Sequence, residues 1–318
     1  MALSLCSSSV ANTGELACDK SRGVAKKLMI FNGTIASSDF ANPTAFFNKL
    51  VSNSKLSKNA SDKVFVLSEI QEITDASESD KEGSLGLGYK TIIQEGRPAY
   101  KAKIFGGADV LKRLRTYNNK TIRLIEYDAN STAWVYQSGS SALGFQARVF
   151  FKGNKLASGQ NVEEGVIEVY FSILSNSEYW DNCKWVDLAG MNIEDVKPLI
   201  DAQLTYVSKA SNVYSYLVKI PDSNLTSDYD VLGDFGAAIA GTAFTAKSAA
   251  SAAAAPTGSA LTIDSKAYNS TTGLLEVTYN STALGTAGAY ISLVPSAPDV
   301  LDAADVTNLE ILSTVHAK

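Results

Sequence analysis

Histidine is almost missing from this chain: His316, near the C-terminus, is the one histidine in 318 residues. This scarcity excludes serine–histidine–aspartate and cysteine–histidine catalytic groups, and histidine-ligated metals, unless the end of the chain supplies them. Because chain ends are commonly frayed, we interpret His316 as a chance residue of the tail.

Cysteine is also scarce, with three residues at Cys6, Cys18 and Cys183. We interpret them as free thiols; Cys6 and Cys18 would be able to pair only in an oxidising compartment. Their spacing fits neither a zinc site nor a CxxC redox motif, and no histidine lies near them. We therefore predict that the protein holds no metal and no cofactor.

Long apolar runs and basic clusters are lacking as well. No stretch reaches the ~18 apolar residues of a transmembrane helix, and the N-terminus lacks the basic and apolar regions of a signal peptide. We expect a protein made in the cytoplasm, with no membrane partner. The net charge of −5 argues against a dedicated nucleic-acid binder. We interpret Lys112, Arg113 and Arg115 as a solvated helix face.

The remaining chemical motifs are weak. The stretch "GSLGLG" (83–88) resembles a phosphate loop, but no Lys-Ser/Thr closes it, and a strand rather than a helix follows. Carboxylate pairs occur at Glu69 and Glu72, at 163–164, and at Asp299 and Asp302. Because surface carboxylates are common, we interpret these pairs as structural and predict that the protein is not an enzyme. Glycoside hydrolysis, which needs no histidine, is the one enzymatic alternative that we retain.

Strand patterns, in contrast, are abundant. At least six segments between residues 26 and 174 alternate apolar and polar side chains, which favours a β-sandwich or barrel. Residues 63–75 read as one strand. Asn42 and Pro43 predict the N-cap and first residue of a helix, and a second small helix is expected at 109–117. We interpret residues 1–27 as an extended arm.

Residues 88–107, "GYKTIIQEGRPAYKAKIFGG", predict two antiparallel strands folded back on one another. The turn falls at Glu95–Pro98, and a charged loop at 76–88 precedes the first strand. One face of this hairpin would carry Tyr89, Thr91, Ile93, Tyr100, Ala102 and Ile104.

The texture changes near residue 200, where charged residues become fewer and Ala, Ser and Thr become more frequent. We therefore predict two domains, 1–200 and 201–318, and a mainly β fold. The alternating segments of the second domain favour an immunoglobulin-like β-sandwich. Its low-complexity stretch Ala237–Ala260 is either a strand with a flexible loop or a linker that leaves a smaller last domain.

A strand-rich first domain with little helix has sheet edges that must be covered or paired. One solution is assembly, in which neighbouring copies pair their edges and close a barrel; a closed monomeric barrel is the other. If the copies assemble as a ring, the 76–88 loop would reach the next ring through Ser77, Glu78, Asp80, Lys81 and Glu82.

The stretch "LSEIQEITDASESDKEGSLGLGYKTIIQEGRPAYKAKIFGGADVLKRLRTYNNKT" (67–121) resembles part of the virion structural proteins of phages that infect Bacteroidetes. The similarity covers about residues 1–200 and includes "VEEGVIEVYFSILSNSEYWD". One departure is Thr116, which separates Arg115 from the aromatic Tyr117 in an otherwise similar Leu-Arg-aromatic-Asn pattern. The matching positions are Ile73-Thr74-Asp75 with Glu78, Gly88-Tyr89, Glu95-Gly96, Gly106-Gly107 and Leu114–Asn118.

This resemblance implies a tail-tube protein whose many copies form stacked, hexameric rings around a channel for DNA. The hairpin would belong to the inner sheet, its helix would brace that sheet, and the immunoglobulin-like domain would decorate the exterior. The partners would be the chain itself, other tail proteins and genomic DNA that passes without sequence-specific binding. The location would be the virion tail.

Two structural alternatives remain. A head-decorating or fibre protein of the virion would bind the host surface through its immunoglobulin-like domain and form a small closed oligomer. A bacterial surface adhesin would need an export signal, which the sequence does not present.

Overall fold

The structure is a computed structural model, and it describes residues 22–56, 60–84, 90–106, 108–153, 166–221, 228–249, 251, 260–306 and 308–318. The fold is mainly β, with 49% strand and 21% helix, which confirms the predicted class. The chain divides into two compact units. Unit 1 comprises the described residues up to 49 and 66–192, and unit 2 comprises 50–65 and 193–318.

The elements that precede residue 192 are mostly strands. Among the described residues three α-helices interrupt them, α1 (Ser37–Phe40), α2 (Pro43–Ser54) and α3 (Ala108–Leu114), together with a 3₁₀ helix (Arg115–Tyr117) and a π-helix (Ser177–Asp181). The strands are β1 (Ala25–Phe31), β2 (Val64–Val66), β3 (Ile70–Asp75), β4 (Lys81–Ser84), β5 (Lys90–Gln94), β6 (Ala99–Phe105), β7 (Thr121–Asp128), β8 (Thr132–Ser138), β9 (Ser141–Leu143), β10 (Phe145–Gly153), β11 (Val166–Ile173) and β12 (Cys183–Asp187).

Ten of these strands form one sheet that curves as a half-barrel. Its main path runs β12-β8-β7-β10-β11-β6-β3, and β1, β2 and β9 complete it. Consecutive residues are buried at 28–31, 124–128 and 132–135, so β1, β7 and β8 are covered on both faces. In β10, β11 and β6, buried residues alternate with more exposed ones, so one face of that part of the sheet is open to solvent.

The start of α2 follows the sequence prediction. The Asn42 side-chain oxygen accepts hydrogen bonds from the backbone N–H groups of Thr44 (2.9 Å) and Ala45 (3.3 Å), and Pro43 opens the helix. The cap satisfies two donors that the first turn leaves without helical partners. The predicted single strand at 63–75 is instead divided into β2 and β3.

The predicted pairing of the hairpin is wrong. β5 pairs with β4, whereas β6 pairs with β3 and β11. The four strands form one longer hairpin, in which Ile70 lies opposite Ile104 at the base and Ser84 opposite Lys90 near the tip. Local alternation identified the strands, but a period of two does not tell which strand is the partner.

Unit 2 also consists mainly of strands. Its helices are α4 (Val231–Gly241), α5 (Ser281–Thr286) and α6 (Pro298–Ala303). Its strands are β13 (Ile200–Ala210), β14 (Val213–Ile220), β15 (Tyr229–Asp230), β16 (Thr245–Ala249), β17 (Ile263–Asn269), β18 (Leu274–Tyr279), β19 (Tyr290–Val294), β20 (Leu309–Leu312) and β21 (Thr314–Ala317).

A six-stranded sheet, β17-β18-β14-β13-β20 with β15 beside β14, shares a core with the three-stranded sheet β16-β19-β21. Two packed sheets are consistent with the predicted immunoglobulin-like sandwich, but β13 and β20 are parallel and α4 packs into the same core. β16 lies in the low-complexity stretch. The division also differs from a single cut after residue 200, because residues 50–65 belong to unit 2.

Candidate functional site

The outer half of the long hairpin is a two-stranded ribbon, here called the ribbon and comprising the described residues of 76–95. It has no core, because the described side chains from 76 to 84 and from 91 to 95 are exposed or only partly buried. Polar contacts hold its base: the Gly96 N–H donates to Asp80 Oδ1 at 2.7 Å, and the Ser77 N–H donates to Asp75 Oδ1 at 2.8 Å. The Ser77 hydroxyl also donates to Asp75 Oδ1, and the two bonds from Ser77 lower the pKa of Asp75.

The ribbon presents two large apolar side chains to solvent. Ile92 is 56% exposed and Ile93 is 72% exposed. Ile93 lies across Gly83 on the paired strand, where an added Cβ would come within 2.3 Å of Ile93 Cδ1. A two-stranded ribbon without a packed face is only marginally stable by itself. Contact with another surface would therefore bury both isoleucines and stabilise the ribbon.

The structure places the predicted loop residues on this ribbon. Ser77, Glu78 and Asp80 lie at its base, whereas Lys81 and Glu82 belong to β4. The stretch 76–88 is thus not a loop throughout, because its described part includes a paired strand.

The predicted hairpin face is not one surface. Thr91 and Ile93 lie on the ribbon, whereas Ala102 and Ile104, each 1% exposed, lie in the core of unit 1 with Tyr100 half-buried beside them. Tyr89 lies outside the described residues.

The neighbouring positions of β6 do face solvent. They belong to the open face, which is the solvent-facing side of β3, β6, β11 and β10. A row of alternating charge crosses these strands, since Lys152 lies opposite Glu168, Glu168 opposite Lys103, and Lys103 opposite Glu72. The Lys152 Nζ–Glu168 Oε2 distance is 3.4 Å and the Lys103 Nζ–Glu72 Oε2 distance is 2.8 Å.

A second row of the open face is partly aromatic. Phe150 lies opposite Tyr170, which lies opposite Lys101, and the two aromatic residues are 41% and 37% exposed. Arg148, one step further along β10, is exposed and lies opposite Ser172.

Unit 1 also contains a buried cluster around Arg22 that the sequence analysis missed. The Arg22 guanidinium lies 3.8 Å from the centre of the Tyr179 ring, and its Nε is 3.9 Å from Glu126 Oε2. Arg22 Nη2 donates to Cys183 Sγ at 3.1 Å, and the Tyr179 hydroxyl donates to Glu126 Oε2 at 3.3 Å. Burial raises the pKa of Glu126, and Arg22 lowers it. A signal was present: Glu126 stands in the apolar strand "TIRLIEYD", where a carboxylate needs a partner.

The interpretation of His316 as a frayed tail residue is wrong. His316 is 8% exposed in β21, with Nε2 2.8 Å from the Tyr216 hydroxyl and its ring stacked 4.3 Å from that of Tyr206. Nδ1 lies 2.8 Å from Ala317 O, so Nδ1 donates and Nε2 accepts the Tyr216 proton. The Tyr216 hydroxyl lies 3.0 Å from that of Tyr279. Pairing of β21 with β19 fixes the histidine in this site.

This burial predicts an acid-sensitive unit 2. Burial lowers the pKa of His316 below its ordinary value of 6.5, so the unfolded chain binds a proton at a higher pH than the folded chain does. The stability that neutral His316 contributes to unit 2 is therefore fully present above about pH 6.5. It is lost as the pH falls, by at most ~1.4 kcal/mol of unfolding free energy per pH unit. Because His316 is the chain's one histidine, its ring proton resonance follows the titration without ambiguity.

The control for this prediction is His316→Phe, which lacks the titrating group. The difference between the two proteins in unit 2 unfolding free energy should shrink toward acid pH. A difference that stays constant from pH 7 to pH 5 would contradict the assignment.

Neither a metal site nor a membrane helix emerges from the described part of the chain. It contains no group of three or more His, Cys, Asp or Glu side chains able to hold a metal ion. It also has no helix of the length and apolar character needed to cross a membrane. Cys183 is a free thiol whose pKa burial raises; Cys6 and Cys18 lie outside the described residues.

Comparisons with protein-family models, curated proteins and solved structures find no match for this chain.

Proposed function

We propose that the chain is a structural subunit of a phage tail tube, in which many copies form stacked rings around a channel for DNA. The observation that carries the proposal is the ribbon, a coreless pair of strands that presents Ile92 and Ile93 to solvent. Stacking each ring on the next would bury this ribbon against a neighbouring copy. Exposed apolar side chains on a marginal ribbon are favourable where such an interface covers them.

The ends of the large sheet support lateral assembly. β3 and β12 are the two ends of its main path, and they differ in sequence. If β3 of one copy pairs with β12 of its neighbour, the contact is head-to-tail. Repeated head-to-tail contacts form a closed ring when the rotation between neighbouring copies adds up to a full turn. Closure of the sheet between copies would remove the unpaired edges.

The experiment removes the ribbon and leaves its base. Replacing residues 81–94 with Asn-Gly joins Asp80 to Glu95 through a two-residue turn of the type that favours hairpins, and keeps the Asp80 side chain that accepts from the Gly96 N–H. We expect rings of the purified variant to persist in negative-stain micrographs, whereas stacked tubes disappear. Circular dichroism should show an unchanged fold.

A milder pair of variants tests the apolar contact alone. Ile92→Ser combined with Ile93→Ser should shorten or abolish tubes, and Val207→Ser, which changes a 45% exposed valine of unit 2, should not. Tubes of normal length from the truncated protein would overturn the stacking role. Trimers or monomers of the wild type at every concentration would instead favour a fibre or head-decorating protein.

A further inference from the structure

The proposed assembly uses the ribbon and the sheet edges and leaves the open face of unit 1 uncovered. The net charge of this face is opposite in sign to that of the whole chain. Its two central rows and Arg148 carry four cations and two anions. These residues have a net charge of +2, whereas the whole chain has a net charge of −5. The described side chains of β1, β7 and β8 offer no comparable exposed surface.

The cations of this face are of two kinds. Lys103 and Lys152 are held by Glu72 and Glu168 at 2.8 and 3.4 Å. Arg148 and Lys101 are exposed, and neither has an ion-pair partner among the described residues. Two cations are thus neutralised in place, and two remain available to an anion.

We infer that the open face is a weak contact surface for the phosphate backbone of duplex DNA. This inference rests on the proposed function, in which DNA passes along a channel that this face would line. Arg148 and Lys101 contact phosphates, and Glu72 and Glu168 keep the attraction weak by neutralising the other two cations. A channel wall with this arrangement holds DNA loosely and releases it.

The strength of the contact follows from counterion release. Each phosphate that a cation neutralises contributes a slope of about −0.9 to the dependence of log affinity on log salt concentration. Two available cations predict a slope of about −2 and an affinity too weak to retain DNA at physiological salt. Removing both glutamates would take two negative charges from the face, release Lys152 from Glu168 and make the slope steeper than about −2.

The test measures binding of a labelled duplex to the dispersed subunit and to assembled rings, by anisotropy at low salt. Glu72→Gln with Glu168→Gln should tighten binding by several-fold and steepen the salt slope. Lys101→Gln with Arg148→Gln should abolish measurable binding. The matched control, Asp228→Asn with Asp299→Asn, makes the same charge change at exposed positions of unit 2 and should stay within about twofold of the wild type.

Two results would overturn the inference: equal affinity of the Glu72/Glu168 variant and the matched control, or unchanged binding after loss of Lys101 and Arg148. Self-association of the Glu72/Glu168 variant in place of DNA binding would assign this face to a second copy of the chain. If microscopy shows rings but these variants do not change the affinity for the duplex, only this inference is rejected. If the variants change the affinity for the duplex as expected but no rings form, only the tail-tube proposal is rejected.

Discussion

Replacing Asp128 with alanine is expected to destabilise unit 1 by on the order of 4 kcal/mol. Asp128 is 1% exposed and accepts four hydrogen bonds, from the backbone N–H groups of Gly23, Asn130 and Thr132 and from Trp134 Nε1, at 2.7–3.0 Å. Because the carboxylate is charged, each bond is stronger than a neutral one, and the alanine leaves buried donors without acceptors.

The measurement is urea unfolding followed by tryptophan fluorescence. All three tryptophans, Trp134, Trp180 and Trp185, belong to unit 1, so this signal reports that unit alone. Asp181→Ala, which removes an exposed carboxylate, is the matched control and should change stability by less than about 0.5 kcal/mol. An Asp128→Ala midpoint equal to that of this control would show that the four bonds contribute nothing.

Replacing Arg22 with methionine is expected to cost about 3–5 kcal/mol at neutral pH, because it leaves the Glu126 carboxylate buried without its cation. The Arg22 guanidinium also stacks on Tyr179, which adds a cation–π contribution of about 1–2 kcal/mol in a desolvated site. Methionine keeps much of the side-chain volume, so the loss reports charge rather than a cavity.

The pH dependence of this loss has a definite sign. Burial raises the pKa of Glu126, and Arg22 opposes that rise, so removal of Arg22 raises the pKa further. When the pKa of a carboxyl is higher in the folded than in the unfolded protein, the free energy of unfolding decreases as the pH rises from the unfolded pKa to the folded pKa. The difference between variant and wild type should therefore be smallest at acid pH and grow as the pH rises.

A second substitution separates the charge from the packing. Arg22→Met with Glu126→Leu removes both charges, and we expect it to recover most of the stability that Arg22→Met loses. A double variant as unstable as Arg22→Met, or a loss that does not change with pH, would contradict the assignment to the buried carboxylate. Tryptophan fluorescence is again the signal, and Glu126→Gln reports the effect of neutralising the carboxylate while Arg22 remains.

The sequence patterns that succeeded were those in which the cause is local. The cap at Asn42 depends on a side chain two or three residues from the groups that it satisfies, and alternation in 145–153 and 166–173 reports one buried sheet face. The hairpin failed because strand identity is local whereas strand pairing is not. β6 lies between β3 and β11, and β11 is far along the chain.

The sites failed in the same way. Arg22 and Glu126 meet only because β1 pairs with β7, and His316 is buried only because β21 pairs with β19. A single sequence assigns neither contact, since each joins residues separated by tens of positions or more.

The sequence by itself therefore determined the mainly β class, most strands and the cap at Asn42, because these depend on side-chain period and on neighbours along the chain. Only the tertiary structure decided which strands pair, which face of β6 is open and which charges are buried. These properties arise when distant segments exclude water from a shared core, and no local pattern records which segments those are.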